Sequence, residues 1–487
     1  MNGVIKGLKP EQIWRYFYEI SQIPRESKNE KEVAEYVISV AKRLNLLYKQ
    51  DEVGNVLVSK PASPGHEKAP GVCLQGHLDM VCEKNSDTVH DFLKDPIKIL
   101  KEGDFLTADG TTLGADNGIG VAAGLAVMEA KDMVHPPMEF LFTIDEETGM
   151  TGANGLKEGF LKSKTLINCD SEEDGALYVG CAGGKDTSIK FDIDWDTAPA
   201  GMKAVTVKIT GLKGGHSGLD IALGRANANK QLNRVIWNTA EKFDIKLFSV
   251  NGGSKHNAIP READYMMLIP EAELDGLKNF IQEYEATLKA EFKGIESDLK
   301  FVIEENSEYP EKVFTADFQS KILNLVYALP HGVVAMSFDI PDLVETSTSL
   351  AIIKTEDNIL SILTSQRSSI ATEIVDIADK VKATGLLAGA DVHQGGGYPG
   401  WKPNMNSKIL KFMKNTYKDL FGKEPEVKAI HAGLECGIIG EKTPGMDMIS
   451  FGPTIISPHS PDERVQISTV EKFWLMLKET LKRIAEG

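Results

Sequence analysis

Five short stretches of this chain carry imidazole and carboxylate groups in a pattern that could do chemistry. They are LQGHLDM (His77, Asp79), TTLGADNGIG (Asp116), FLFTIDEETGM (Glu146, Glu147), LINCDSEEDG (Asp170) and, far downstream, SPHSPDERV (His459). The first four share one setting, an apolar run followed at once by polar residues. No thiolate is among them. Imidazole and carboxylate suit zinc, and also manganese or cobalt. A carboxylate able to bridge two ions gives the dinuclear arrangement that polarises a carbonyl and activates water. Hydrolysis is the reaction such a set points to.

Spacing assigns some roles. Residues two apart share a face in extended backbone, so Asp79 can sit behind His77 and hold its imidazole by a hydrogen bond. Adjacent residues point opposite ways, so one of Glu146 and Glu147 can coordinate metal while the other faces the attacking water as general base. Spacing does not say which. The glycines around Asp116 allow tight backbone before a helix that begins at about Asn117 or Gly118.

These residues need a frame that brings them together, and the first part of the chain supplies one. Apolar positions at helical spacing mark helices over 9–24 and 28–46, and again over 118–130. Short apolar strands are expected at 53–58, 71–76, 138–144 and 164–169. Strands apolar on both faces and separated by helices indicate an α/β domain, its sheet covered on both sides. In such open sheets ligands bind just beyond the carboxyl ends of the strands, which is where the clusters fall.

The texture changes after residue 185. Alternating strands recur near 262–269, 299–305, 347–353, 358–366 and 384–394, with helices at 220–243, 271–292, 312–328 and 370–382. That mixture suits an antiparallel sheet with helices on one side. Residues 186–398 are therefore expected to form an inserted α+β lid. The catalytic domain is then discontinuous, over 1–185 and 399–487, with helices near 406–421 and 468–485. GGGYPGW (395–401) lacks the lysine of a phosphate loop and reads as the hinge back to the first domain.

Bulk properties exclude several classes. The 487 residues exceed one hydrophobic core, so two or three domains are expected. The five cysteines contain no C-x-x-C pair, which argues against a disulfide framework or thiolate zinc finger. The net charge of −17 and the lack of a local basic patch argue against nucleic acid as a partner. The start lacks the apolar core of a secretory signal and no run is long enough for a membrane span, so a soluble, cytoplasmic protein is expected.

Taken together, H-L-D-M-V, G-A-D-N-G-x-G, D-E-E-x-G, N-x-D and S-P-H-S-P-D-E-R resemble the dinuclear zinc dipeptidase and carboxypeptidase-G superfamily. IPRESKNE (23–30), LQGHLDMVCEKN and HAGLECG look most like its aminoacyl-histidine dipeptidase branch, also called Xaa-His dipeptidase or peptidase D. The resemblance covers essentially the whole chain. It implies two Zn2+ per subunit, with Mn2+ or Co2+ as substitutes. Asp116 would bridge them, His77 and Asp170 would complete one site, and Glu147 and His459 the other. Glu146 would be the general base and Asp79 would orient His77. In the lid, His216 of KGGHSG would stabilise the tetrahedral oxyanion, Asn257 of HNAIP would hold substrate, and Arg367 of TSQRSS would take its carboxylate. Glu435 and His431 of HAGLECG could contact a substrate amine, although glycines opening a helix would explain that motif equally.

The expected function is hydrolysis of dipeptides of the Xaa-His type. Another exopeptidase, a tripeptidase or an aminoacylase on the same scaffold is the nearest rival, and a catalytically silent metal-binding protein a more distant one. The insert is longer than a single-unit lid and could hold two similar halves. A doubled lid could supply His216 within one chain, whereas a simple lid would supply it across a homodimer. The sequence leaves both open.

Overall fold

The structure is a computed structural model and describes residues 3–487. The chain divides into two compact units. Unit one comprises the chain up to Cys181 with Trp401–Ala429 and Leu434–Gly487, and unit two comprises Ala182–Gly400 with Ile430–Gly433. The crossings at Cys181/Ala182 and Gly400/Trp401 compare with expected breaks after 185 and 398. The segment 430–433, placed by sequence in the catalytic domain, packs instead with unit two. Its reason is local: the backbone N–H of Ala182 donates to the carbonyls of Ile430 and Ala432.

Unit one is built on an eight-stranded mixed sheet. Its order is Leu47–Gln50, Val56–Lys60, Met138–Thr143, Val72–His77, Thr165–Asn168, Asp447–Ser450, Ala176–Cys181 and Glu426–Ile430. Val72–His77 runs parallel to both of its neighbours, and Asp447–Ser450 runs parallel to Thr165–Asn168. Four strands therefore end along one edge. Every residue of Val72–His77 and Met138–Thr143 is buried, as a sheet covered on both faces requires. Helix Glu11–Ser21 buries Ile13, Trp14, Tyr16, Phe17 and Ile20 at helical spacing. Helix Ala115–Glu129 is buried almost all round, so it has no polar face for the sequence pattern to show.

Unit two is a purely antiparallel sheet of nine strands. Its connections repeat. Strand Met202–Thr210, helix Ala228–Ala240, strands Lys246–Gly252 and Ala263–Pro270, helix Leu274–Glu291 and strand Lys300–Glu305 make one β-α-β-β-α-β set. Gly183–Asp192, helix Ala316–Ala328, Val344–Glu356, Ile359–Ser368, helix Ala371–Leu387 and Asp391–Tyr398 make a second. Read inward from the outer edges, both sets place their strands fourth, first, third, second. They join through their second strands, Lys246–Gly252 and Val344–Glu356. All four helices feed one apolar core, through Leu232, Leu277, Phe318 and Val381 among others.

Two lid elements differ from expectation. Residues 384–387 end a helix rather than begin a strand. Ile377, Ala378, Val381 and Gly385 are all buried at helical spacing, and the helix stops at Gly389, whose φ is +76°. The helix expected over 220–243 begins only at Ala228. Gly224 at φ +68° interrupts the chain, and the Asn227 side chain accepts the Lys230 N–H to cap the new helix. Among the described residues no helix is long and apolar enough to cross a membrane, and all five cysteines are free thiols.

Candidate functional site

The parallel strands deliver the polar clusters to one place. His77 is the last residue of its strand and pairs in register with Thr143, from which the chain turns into Glu146–Gly149. Asn168 ends the next strand, two residues before Asp170. Asp116 sits in the non-helical start of Ala115–Glu129, where the Asp116–Asn117 peptide is cis. His459 arrives from the loop beyond Ile455–Ile456, with φ +59°, a conformation a non-glycine residue adopts only when its surroundings hold it there.

The groups converge around Asp116. Its Oδ1 lies 3.2 Å from His77 Nε2 and its Oδ2 lies 3.1 Å from His459 Nε2. His77 Nε2 is also 3.2 Å from Asp170 Oδ1, and His459 Nε2 is 3.0 Å from Glu147 Oε2. Two triads result, His77, Asp116 and Asp170, and Asp116, Glu147 and His459, each with its ligand atoms within 4.8 Å of one another. Asp116 belongs to both.

The electrostatics call for cations. Burial and the nearby Asp116 and Glu147 push the Asp170 carboxyl up to about 6, although His77 opposes them. Burial alone would lower the His77 imidazole, yet Asp170, Asp116 and Asp79 raise it well above its ordinary range. Burial would likewise lower His459, but Asp116 and Glu147 lift it to about 11. Glu147 Oε1 is buried without a hydrogen-bond partner, and Asp170 Oδ1 meets only the His77 imidazole, outside hydrogen-bond geometry. Buried carboxylates gathered with orphaned oxygens are stable only with positive charge among them. The donor set fits divalent ions with oxygen and nitrogen ligands.

Asp79 is fully buried. Its Oδ1 lies 3.3 Å from His77 Nδ1, and its two oxygens accept the backbone N–H groups of Glu146 and Glu147 at 3.0 and 3.1 Å. Ser27 donates its hydroxyl to Asp79 Oδ2 at 2.8 Å. Glu146 and Glu147 open a single helical turn rather than continuing the strand, so their separation follows from helical geometry and not from strand alternation. Burial, with Asp170, Glu147 and Glu435 nearby, pushes the Glu146 carboxyl well above the usual range, although His77 opposes this.

Glu435, expected from the sequence to contact substrate, lies beside the strand that carries His77. It is fully buried at the start of helix Glu435–Lys442, and its Oε2 accepts hydrogen bonds from Gln75 and Thr143, both at 2.6 Å. Its Oε1 is buried with no hydrogen-bond partner. Gln75, Thr143 and Ser27 carried no signal in the sequence beyond their neighbourhood.

In unit two, His216, Asn257 and Arg367 lie close together. His216 pairs in register with Ala258, and the Asn257 carbonyl accepts the Ser217 N–H at 2.8 Å. His216 Nδ1 accepts the N–H groups of Gly218 and Leu219 at 3.2 and 3.0 Å, so the neutral ring carries its proton on Nε2 and presents a donor there. Arg367, 5 % exposed, directs Nε to Ser217 Oγ at 3.4 Å and Nη1 to Tyr398 Oη at 3.1 Å. A side chain at Gly218 would strike the His431 carbonyl and crowd both His216 and Arg367. His431 itself is buried, with Nε2 2.7 Å from Ser347 Oγ.

Comparison with known proteins agrees with this geometry. Residues 73–483 match the model of peptidase family M20/M25/M40. The chain is 42% identical over 480 residues to the cytosol non-specific dipeptidase of Escherichia coli K12, covering 99% of each. The crystal structure of aminoacylhistidine dipeptidase from Vibrio alginolyticus is similar with a TM-score of 0.89 at 44% identity, over 99% of this chain and 98% of that one. A Staphylococcus aureus tripeptidase, at 17% identity and a TM-score of 0.55 over 99% and 100% of the two chains, shares the fold.

Proposed function

The chain belongs to peptidase family M20/M25/M40, and from that premise we propose that it is a dipeptidase working through two zinc ions, with Xaa-His dipeptides among its substrates. It is a peptide-bond hydrolase that uses divalent metal. The one observation that carries the dinuclear reading is Asp116, whose two oxygens each face a different histidine at close to 3 Å. His77 and Asp170 would hold one ion, Glu147 and His459 the other, and Asp116 would be shared between them. The name of the E. coli relative supports a cytoplasmic location.

When bound, the ions supply Lewis acidity toward the scissile carbonyl and acidify water. Glu146 takes a proton from the attacking water and returns it to the leaving amine. Its raised proton affinity suits a group that must hold that proton in transit. Asp79 holds His77 in one orientation and fixes the backbone of Glu146 and Glu147. His216 offers Nε2–H to the developing oxyanion, Asn257 positions the substrate, and Arg367 pairs with its terminal carboxylate. Glu435 is read as a support for His77.

A panel of dipeptides, including Xaa-His, with tripeptides and N-acetyl amino acids as controls, tests the reading on zinc-loaded protein. Cleavage of dipeptides and not of the controls is expected. Preferential hydrolysis of N-acetyl amino acids would sink it.

A further inference from the structure

The loop that carries Asp116 is gripped from two sides by buried charged residues that are not themselves candidate ligands. Glu463, 2 % exposed, lies four residues beyond His459. Its Oε2 accepts the backbone N–H of Leu113 at 2.7 Å and of Gly114 at 2.8 Å, and its Oε1 accepts those of Ala115 at 2.8 Å and Asp116 at 3.2 Å. Four successive amides turned to one side form a concavity for an anion, and this one is filled by the chain's own carboxylate. Gly114, at φ +70°, makes that turn possible.

Arg25, also 2 % exposed, takes the other side. Its Nη2 donates to the Gly114 carbonyl, while Nη1 donates to the carbonyls of Leu78 at 3.0 Å and Asp79 at 2.8 Å. Arg25 thus ties the Asp116 loop to the His77–Asp79 segment, and Glu463 ties it to the His459 segment. Their opposite charges face the same loop, as buried ions require.

We propose that Glu463, with Arg25 as its counter-charge, is a positioning residue that sets the Asp116 carboxylate midway between His77 and His459 and so determines the affinity for the second metal ion. The inference rests on reading His77, Asp116, Glu147, Asp170 and His459 as ligands. A glutamine at 463 keeps the shape but turns an NH2 group toward backbone donors, so at least one amide of the loop loses its acceptor. The loop then relaxes and the bridge is misplaced.

The test compares zinc affinity, by competition with a fluorescent chelator, and kcat and KM, in wild type, Glu463→Gln, His459→Ala and Glu139→Gln. Glu139 is a buried carboxylate of the same unit that accepts the N–H groups of Lys162 and Ser163 and belongs to neither metal triad, so its variant reports ordinary structural loss. Glu463→Gln is expected to weaken the second zinc by about 10- to 100-fold and to lower kcat with KM little changed. Glu139→Gln should leave both untouched at a similar loss of thermal stability. Wild-type zinc affinity in Glu463→Gln, while His459→Ala loses a zinc, overturns the proposal. Wild-type zinc content in His459→Ala overturns the ligand reading instead. Should Glu463→Gln not fold, Arg25→Lys decides: it keeps the charge and loses the fork, and wild-type zinc affinity there overturns the proposal.

Discussion

Asp79 holds Oδ1 3.3 Å from His77 Nδ1 with the same carboxylate that accepts the N–H groups of Glu146 and Glu147. One buried anion thus orients an imidazole at the end of one strand and the two glutamates after the next. Replacing Asp79 by Asn leaves one acceptor oxygen for what two now hold. Zinc affinity and kcat are both expected to fall by about 10- to 100-fold. Chelator competition and steady-state kinetics read the two effects, and a variant with undiminished kcat would show that the link is idle.

Glu146 belongs to neither triad built on Asp116, although it forms a further group with His77 and Glu147 whose ligand atoms lie within 4.8 Å of one another. Glu146→Ala should keep its full metal content, by elemental analysis, while kcat falls by about 10²- to 10⁴-fold. Loss of zinc in this variant would make Glu146 a ligand rather than the base.

Removing the metal should destabilise unit one more than the loss of a single candidate ligand. The carboxylates of Asp116, Glu147 and Asp170 would repel one another with no cation among them. Zinc held at about a thousand times its dissociation constant adds roughly 4 kcal/mol to the folded state. Thermal unfolding with chelator and then with restored zinc should show a reversible drop in Tm. His459→Ala should show a clearly smaller one.

Much of this was legible in the sequence, and what was missed has a physical reason. The strand ending in His77 and the strand leading to Glu146 are mostly apolar because they are buried on both faces, and the carboxylates follow them because the strands run parallel to one edge. Helix Lys408–Phe421 showed its amphipathic face plainly, within two residues of its expected start. Gly385 concealed the last turn of Ala371–Leu387, since a glycine inside a helix reads as a break. The segment 430–433 could not be assigned because its membership rests on backbone hydrogen bonds to Ala182, which no side-chain pattern reports. Glu463 and Arg25 left a faint trace, a charge in an otherwise motif-like stretch. Their partners are backbone amides and carbonyls, which look alike in every sequence.

His431 gives the lid a pH dependence of its own. Burial, then the neighbouring Arg367 and His216, lowers its pKa to about 3 in the folded chain. Below about pH 6.5 the unfolded chain binds a proton that the folded chain refuses. Stability therefore falls with pH from about 6.5 down toward 3, by roughly 1.4 kcal/mol per unit, and no further below that. In chelator-treated protein, His431→Asn should lose stability less steeply than wild type between pH 6.5 and 4.5. Equal slopes by urea unfolding would show that His431 titrates normally.

Arg367 sets the last expectation. Its guanidinium is almost fully buried, with Nε 3.4 Å from Ser217 Oγ and Nη1 3.1 Å from Tyr398 Oη. A planar fork of this kind matches a carboxylate better than any neutral group. Amidated dipeptides should therefore bind weakly to wild type, with kcat/KM lower by one to two orders of magnitude, on the scale of one lost charge-assisted bond of about 1.5–3 kcal/mol. Arg367→Ala should lose most of its activity on free dipeptides and little on amidated ones, which removes the preference. If the wild type cleaves both forms equally, the carboxylate is held by another group.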